Sequence, residues 1–354
     1  MKKIIGSMIV SLVILLSPIV TQAFYYDVRH NDETYGAIEY LSHIGVVKGV
    51  NGAYNPQHNV TNRQVALMLV RALQQQQAKY KNPNFADVRT SDDGYKEIAI
   101  ATELGIFPKE KYFYPNRPIT REGMARALTR AFQLKPNSTH SFRDVPKNYW
   151  AHSYISTLAA HNITTGYGDG TFKPKQQLTR AHFAAFVARA LVPEIRPSKQ
   201  QIKFNQGMMP SADVTIQNFM YQYGKYTYEN NIFHYFSEEN HGYNVVWCDD
   251  TIAYEEQEEY FVSTIYDDVV MPYPLYQGKT WYDELLIGGV GKFKIITTNG
   301  IAVTPVQVYK DVVIVTFTRE DTYAAKTFWF AKNRGLIRVI DDFGSGGYWQ
   351  ERPI

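Results

Sequence analysis

The sequence predicts a chain of two unlike halves, a helical repeat array followed by a mostly antiparallel β domain. Three observations predict it. A Thr-Arg helix opening recurs at a spacing of 59 residues, and the helices that follow it end alike. Beyond about residue 200, helical periodicity gives way to short alternating runs dense in Tyr and Phe.

The clearest copy is Leu178-Thr179-Arg180-Ala181-His182, preceded by the loop Thr165-Gly166-Tyr167-Gly168-Asp169-Gly170. Ile119-Thr120-Arg121-Glu122 lies 59 residues earlier, and Val60-Thr61-Asn62-Arg63 a further 59. The following helices end in Arg71-Ala72-Leu73, Arg130-Ala131-Phe132 and Arg189-Ala190-Leu191. Each unit opens on aromatic-x-Asp-Val: Tyr25-Tyr26-Asp27-Val28, Phe85-Ala86-Asp87-Val88 and Phe142-Arg143-Asp144-Val145. The repeats therefore span 24–80, 81–138 and 139–195, each reading helix, loop, helix.

In the third repeat, Trp150, Tyr154, Ile155, Leu158 and Ala159 fall at helical steps, which predicts an apolar stripe on a helix ending near Asn162. The glycines that follow supply a tight turn where positive φ is allowed. Thr179 is placed as an N-cap, and Phe183, Phe186, Val187 and Leu191 as the buried stripe of the second helix.

Ahead of the repeats, Met1-Lys2-Lys3, an apolar run from Ile9 to Val20 and Thr21-Gln22-Ala23 predict a secretory signal peptide, 1–23, cut after Ala23. A membrane anchor is the competing reading, weakened by Ser7, Ser11, Ser17 and Pro18. The one cysteine, Cys248, forms no internal disulfide and reads as a small buried apolar residue, so the fold must rest on packing.

Net charge is +3, but it is unevenly spread. Residues 24–199 carry 23 Lys and Arg against 14 Asp and Glu, and residues 200–354 carry 12 against 20. The first half thus suits an anionic partner and the second does not. Export and the lack of a basic run argue against nucleic acid.

The third repeat resembles the S-layer homology module, in Phe142, Asp144, Trp150, Gly166 to Gly170, Phe172, Pro174 and Thr179-Arg180-Ala181. The resemblance covers about half the chain. It implies three modules packed as a pseudo-threefold, prism-like unit. It also implies grooves that bind an anionic, pyruvylated secondary cell wall polymer associated with peptidoglycan, with the motif Arg meeting the anion. Carried over residue by residue, the ligand set is Arg180 first, then Arg121, with Trp150, Gly166, Tyr167, Gly168, Gly49 and the aspartates Asp27, Asp87 and Asp144. Arg63 is the first repeat's candidate, one position late and so rotated by about 100°.

The chemistry of the residues fits that implication. Arg presents a planar fork of donors suited to a carboxylate, and an aromatic face suits a sugar. Other readings stay open. Arg180 could be an exposed first-turn residue, Trp150 a core residue, and the aspartates turn residues holding a groove edge. The repeats are also unequal. Glu33 and Asp93 stand where the third repeat has Trp150, and the second repeat has Phe107-Pro108-Lys109-Glu110-Lys111-Tyr112 in place of the glycine loop. That loop follows a helix rather than a strand, which excludes a dinucleotide fingerprint.

Pro193 and Pro197 end the array, and 196–204 reads as a linker. In the β domain, 205–354, strands are predicted at Tyr226-Thr227-Tyr228, Phe293 to Thr297, Val306 to Tyr309 and Val312 to Thr318. Gly288-Gly289, Asn333-Arg334-Gly335 and Gly344 to Gly347 mark turns, and Asn299-Gly300 predicts a two-residue hairpin. Pro274-Leu275 through Gly278 to Trp281, with Thr327 to Arg338, is loosely similar to secreted bacterial β-sheet domains of unassigned function, and implies a curved sheet or half-barrel.

No catalytic residue, cofactor or metal set is assigned. Glu255-Glu256-Gln257-Glu258-Glu259, with Asp249-Asp250 and Asp267-Asp268, lacks calcium-loop spacing and reads as a solvated face. His234 and His241 lack a zinc-binding context. The expected function is non-covalent anchoring to the cell wall, as in a surface layer, without a membrane span after cleavage. The alternative is a wall-anchored polysaccharide or peptidoglycan hydrolase with its site in the C-terminal half.

Overall fold

Each threonine of the repeated motif caps the helix behind it. The computed structural model describes residues 25–137, 140–197, 208, 269–285, 289–304, 307–319 and 325–341, with strand segments 216–222, 225–233, 236–237, 242–247, 250–256, 260–263 and 346–351. The signal segment, Cys248, His234, His241, Asp249, Glu258, Glu259, Asp267 and Asp268 fall outside the described residues. Glu255 and Glu256 enter as strand backbone alone.

Six α-helices are described: α1 (Tyr35–His43), α2 (Asn62–Ala72), α3 (Tyr95–Glu103), α4 (Arg121–Ala131), α5 (His152–Ala160) and α6 (Arg180–Leu191). The hydroxyls of Thr61, Thr120 and Thr179 accept from the backbone N–H of Gln64, Gly123 and His182 at the starts of α2, α4 and α6. The first two amides of those helices are satisfied by a neighbouring repeat. Asn62 and Arg63 donate to the carbonyls of Arg117 and Pro115, Arg121 and Glu122 to Gln176 and Pro174, and Arg180 and Ala181 to His58 and Pro56.

Just ahead of the caps, three residues close a ring of backbone bonds. Val60 N–H donates to Leu178, Leu178 N–H to Ile119, and Ile119 N–H to Val60. The repeats are therefore arranged cyclically, each linked to both others. Below the ring, Val65, Leu69, Met124, Leu128, Phe183 and Val187 share one buried core.

Trp150 departs from the predicted stripe. It precedes α5 and is half exposed, whereas Ile155, Leu158 and Ala159 are buried.

After a short 3-10 turn at Pro193–Ile195, thirteen strands form two antiparallel sheets. They are β1 (Ile216–Gln222), β2 (Lys225–Phe233), β3 (Phe236–Ser237), β4 (Gly242–Trp247), β5 (Asp250–Glu256), β6 (Tyr260–Ser263), β7 (Val269–Pro272), β8 (Thr280–Leu285), β9 (Gly289–Val303), β10 (Val308–Thr318), β11 (Ala325–Ala331), β12 (Gly335–Asp341) and β13 (Gly346–Glu351). Eight strands run in the order β2-β1-β13-β12-β11-β10-β9-β8, and five in the order β3 to β7, with no closed barrel among them. Phe261 and Met271 of the smaller sheet pack against Phe293, Val315, Phe317 and Phe330 of the larger.

The apolar run in β10 is buried on both faces. Val313, Val315 and Phe317 face the second sheet, whereas Val312 and Ile314 join Tyr35 of α1 and Trp329 in a separate core. That explains an uninterrupted apolar run in an antiparallel strand.

Asn299-Gly300 is not a hairpin. Both residues lie inside the 15-residue strand β9, where the register against β10 shifts. The connection between those strands falls further on, where Thr304 and Gln307 bond to one another. Gly300 is needed for close approach instead, since a Cβ there would meet the Ile314 side chain at 2.8 Å and the Val312 carbonyl at 3.0 Å.

Candidate functional site

The motif arginines reach across repeat boundaries. Arg121 Nε donates to the carbonyl of Phe172 at 2.6 Å, and Arg180 Nε donates to the carbonyl of Tyr54 at 2.9 Å. In the first repeat Asn62 takes the equivalent place, its amide donating to the carbonyls of Phe113 and Tyr114. Each repeat thus extends one side chain from its second helix to the turn of another repeat. That direction also explains a cation at the first helical position, where the helix dipole opposes it. The charge is carried to a neighbour's carbonyl.

The receiving turns are held by the aspartates of the aromatic-x-Asp-Val openings. Asp27 accepts from the N–H groups of Tyr54 and Asn55, Asp87 from Phe113 and Tyr114, and Asp144 from Phe172 and Lys173, all between 2.6 and 2.9 Å. Both oxygens of each carboxylate are engaged inside the module. Asp27, Asp87 and Asp144 therefore hold the turns that receive the motif side chains. The second repeat builds the same turn without glycine, placing Tyr114 at positive φ where the others have Asn55 and Lys173.

Gly49 and Gly166 act by absence of a side chain. A Cβ on either would strike the ring of Tyr25 or Phe142, at 2.3 and 2.4 Å respectively. Gly168 is exposed with open space around it. Its neighbour Tyr167 lies beneath the guanidinium of Arg121, 4.9 Å from ring centroid to cation, and Phe172 lies at 4.4 Å.

The two arginines are unequal. Arg121 is 6% exposed, and burial lowers its pKa from the ordinary arginine value. Its terminal amino groups carry no hydrogen bond among the described residues, and the residue lines a cavity of about 640 Å³. Gly166, Tyr167, Glu33 and Arg189 also line that cavity. Arg180 spends a second donor on the Lys48 carbonyl at 3.1 Å, leaving one amino group unengaged. Arg63 turns away from this system and lies 3.7 Å from Asp93 in an exposed ion pair.

Trp150 stands at a different groove. It lines a cavity of about 280 Å³ with Asn62, Tyr114, Glu122 and Arg126. The Arg126 guanidinium sits over the indole at 5.4 Å, and its buried Nε has no partner. Tyr149 donates a very short hydrogen bond to Glu122, which pushes the phenol up to about 12 and keeps it protonated. Sequence reading missed Arg126, which lies outside the motif. Arg189 was visible only as a repeated helix ending. Among the described residues no group of three or more His, Cys, Asp or Glu gathers as a metal site, and no helix is long and apolar enough to cross a membrane.

Comparison with known proteins identifies two of the three repeats. The S-layer homology domain model matches residues 84–125 and 141–184, the second and third units of the ring. This chain carries S-layer homology domains. It is 30% identical over 163 residues to a surface-layer 125 kDa protein of Lysinibacillus sphaericus, covering 44% of this chain and 14% of that one. A cellulosome-anchoring protein of Acetivibrio thermocellus is 26% identical over 216 residues, 58% of this chain and 46% of that one. An endoglucanase of a Bacillus species is 31% identical over 178 residues, 47% of this chain and 18% of that one. The matched segments span less than half of each of these relatives. They support a cell-surface anchoring role for the S-layer homology half.

Proposed function

We propose that the chain is exported and held on the bacterial cell wall through its S-layer homology domains, which bind an anionic, pyruvylated secondary cell wall polymer and display the β domain. The observation that carries this reading is Arg121. It is a buried cation, bonded through Nε alone and packed on Tyr167, Phe172 and Phe186, that lines a cavity with Tyr167 and Gly166. A carboxylate there would receive a bidentate, charge-assisted pair of bonds, strong because the guanidinium is already largely desolvated. Arg180 supplies a second, weaker station, and Trp150 over Arg126 a stacking platform for a sugar ring at the third.

Surface-layer and cellulosome-anchoring names among the relatives support the anchoring part of the reading. Co-sedimentation of the full chain with purified walls tests it. Binding should vanish when acid extraction removes the polymer, and Arg121→Ala should weaken it about tenfold or more. Equal binding to extracted and native walls would sink the polymer reading. The endoglucanase relative keeps a catalytic C-terminal half as the rival, which release of soluble sugars or muropeptides from those walls would reveal.

A further inference from the structure

The groove headed by Arg121 differs from the groove of Trp150 because the β domain forms one of its walls. The larger sheet is fixed against the helical half at several points, through α1 of the first repeat and through the segment that follows α6. Gly36 of α1 lies so close to β9 that a Cβ would stand 2.6 Å from the Ile301 carbonyl. Asn299 donates to the carbonyl of Arg196, and Lys310 pairs with Glu194 at 3.1 Å. Arg338 of β12 is buried against Glu39 and Tyr35. This docking brings Lys294 and Ile296 of β9 into the lining of the 640 Å³ cavity that Arg121 also lines.

Arg189 lines the same cavity and an adjoining one of about 310 Å³, which also lies against β9. Its counterpart 59 residues earlier, Arg130, donates to the Gly105 carbonyl and to the Tyr154 hydroxyl. Counted from the helix isoleucines Ile155 and Ile38, the position of Tyr154 is occupied in the first repeat by Ala37. The lost phenol leaves both the space and the arginine. The Arg189 guanidinium makes no hydrogen bond or ion pair among the described residues; its backbone carbonyl accepts from Arg196 Nε, and burial lowers its pKa while the nearby charge of Glu33 opposes that shift. Lys294 is exposed and likewise unpaired. Asp32 and Glu33 line both cavities with Arg189, at the positions where the third repeat has Tyr149-Trp150.

We propose that this is a composite site, shared by the S-layer homology unit and the β domain, for a carboxylate-bearing saccharide unit of the wall polymer. The anion lies between Arg121, Arg189 and Lys294, while sugar hydroxyl or amide groups meet Asp32 and Glu33. Recognition here depends on charge and hydrogen bonding, because Glu33 replaces the stacking indole. The β domain is thereby part of the anchor and selects which polymer enters. This inference rests on the polymer-binding reading above and adds residues that reading does not need.

The test is titration calorimetry of the full chain with polymer solubilised from the producing cell's walls. Lys294→Glu changes an exposed side chain and should fold normally. It is expected to weaken binding about three- to tenfold, with the loss shrinking at high salt. Arg189→Met keeps the side chain's bulk and should weaken binding about tenfold, as for one charge-assisted contact. Circular dichroism melts confirm that each variant is folded. If Arg121→Ala loses binding while Lys294→Glu and Arg189→Met bind like the parent, the composite site is wrong and the simpler groove stands. If the parent protein ignores the polymer, both readings fall together.

Discussion

Glu39 on α1 and Arg338 on β12 meet at 2.7 Å with 5% and 0% of their side chains exposed, joining the first repeat to the β domain through a buried ion pair. Tyr35 completes the group, accepting from Arg338 at 2.7 Å and donating to Glu39 at 3.2 Å. Trp329 covers the guanidinium at 4.7 Å. Removing one partner leaves a charge buried without its principal counter-ion. Glu39→Ala or Arg338→Ala is therefore expected to cost roughly 3–5 kcal/mol. Replacing both with apolar residues should recover most of that cost. Urea unfolding of the singles and the double checks it, and a double as unstable as the sum of the singles would contradict it.

Gly36 is the second test of the same contact. Alanine there must displace the β9 backbone, so Gly36→Ala is expected to destabilise the chain by about 1–3 kcal/mol despite alanine's better helix propensity. A stabilised Gly36→Ala would show that the sheet does not press on α1.

The aspartate clamps predict a loss of order rather than of charge. Asp87→Ala would strand the N–H groups of Phe113 and Tyr114, at a cost of about 1–3 kcal/mol, and loosen the turn that receives Asn62. Amide exchange at Phe113 and Tyr114 should accelerate in that variant, whereas exchange in α6 should not.

Arg121→Lys is expected to behave nearly like Arg121→Ala in wall binding. An ammonium cannot hold the Phe172 carbonyl and still offer two parallel donors to a carboxylate. Sedimentation at one ionic strength, with the alanine, lysine and parent proteins side by side, measures this. A lysine variant that binds as tightly as the parent would mean that simple positive charge suffices.

His182 reports occupancy of the same cavity. Burial, and then the charge of Arg121, lower its pKa below the ordinary 6.5. The imidazolium is disfavoured by a neighbouring cation and favoured by a neighbouring anion, so polymer binding should raise the midpoint. Arg121→Ala should raise it as well, without ligand. Proton NMR of the His182 ring across a pH series reads both shifts, and a midpoint unmoved by saturating polymer would place the ligand elsewhere.

What the sequence determined by itself was local and periodic. The 59-residue spacing, the Thr caps of α2, α4 and α6 and the change of texture near residue 200 all follow from residues a few positions apart, where propensity and side-chain period act directly. Asn333-Arg334-Gly335 was legible as a turn for the same reason, with Asn333 and Gly335 both at positive φ. Only the tertiary structure decided where the motif arginines go, since Arg121 and Arg180 find their carbonyls 51 and 126 residues away. It likewise turned Asn299-Gly300 from a hairpin into a bend within β9. A glycine forced by a neighbouring strand looks the same in sequence as one forced by a turn. The pairing of Glu39 with Arg338, 299 residues apart, and the arrival of Lys294 at the Arg121 groove depend on how two cores dock. No spacing along the chain encodes that, because burial and charge pairing act between surfaces that meet only after each half has folded.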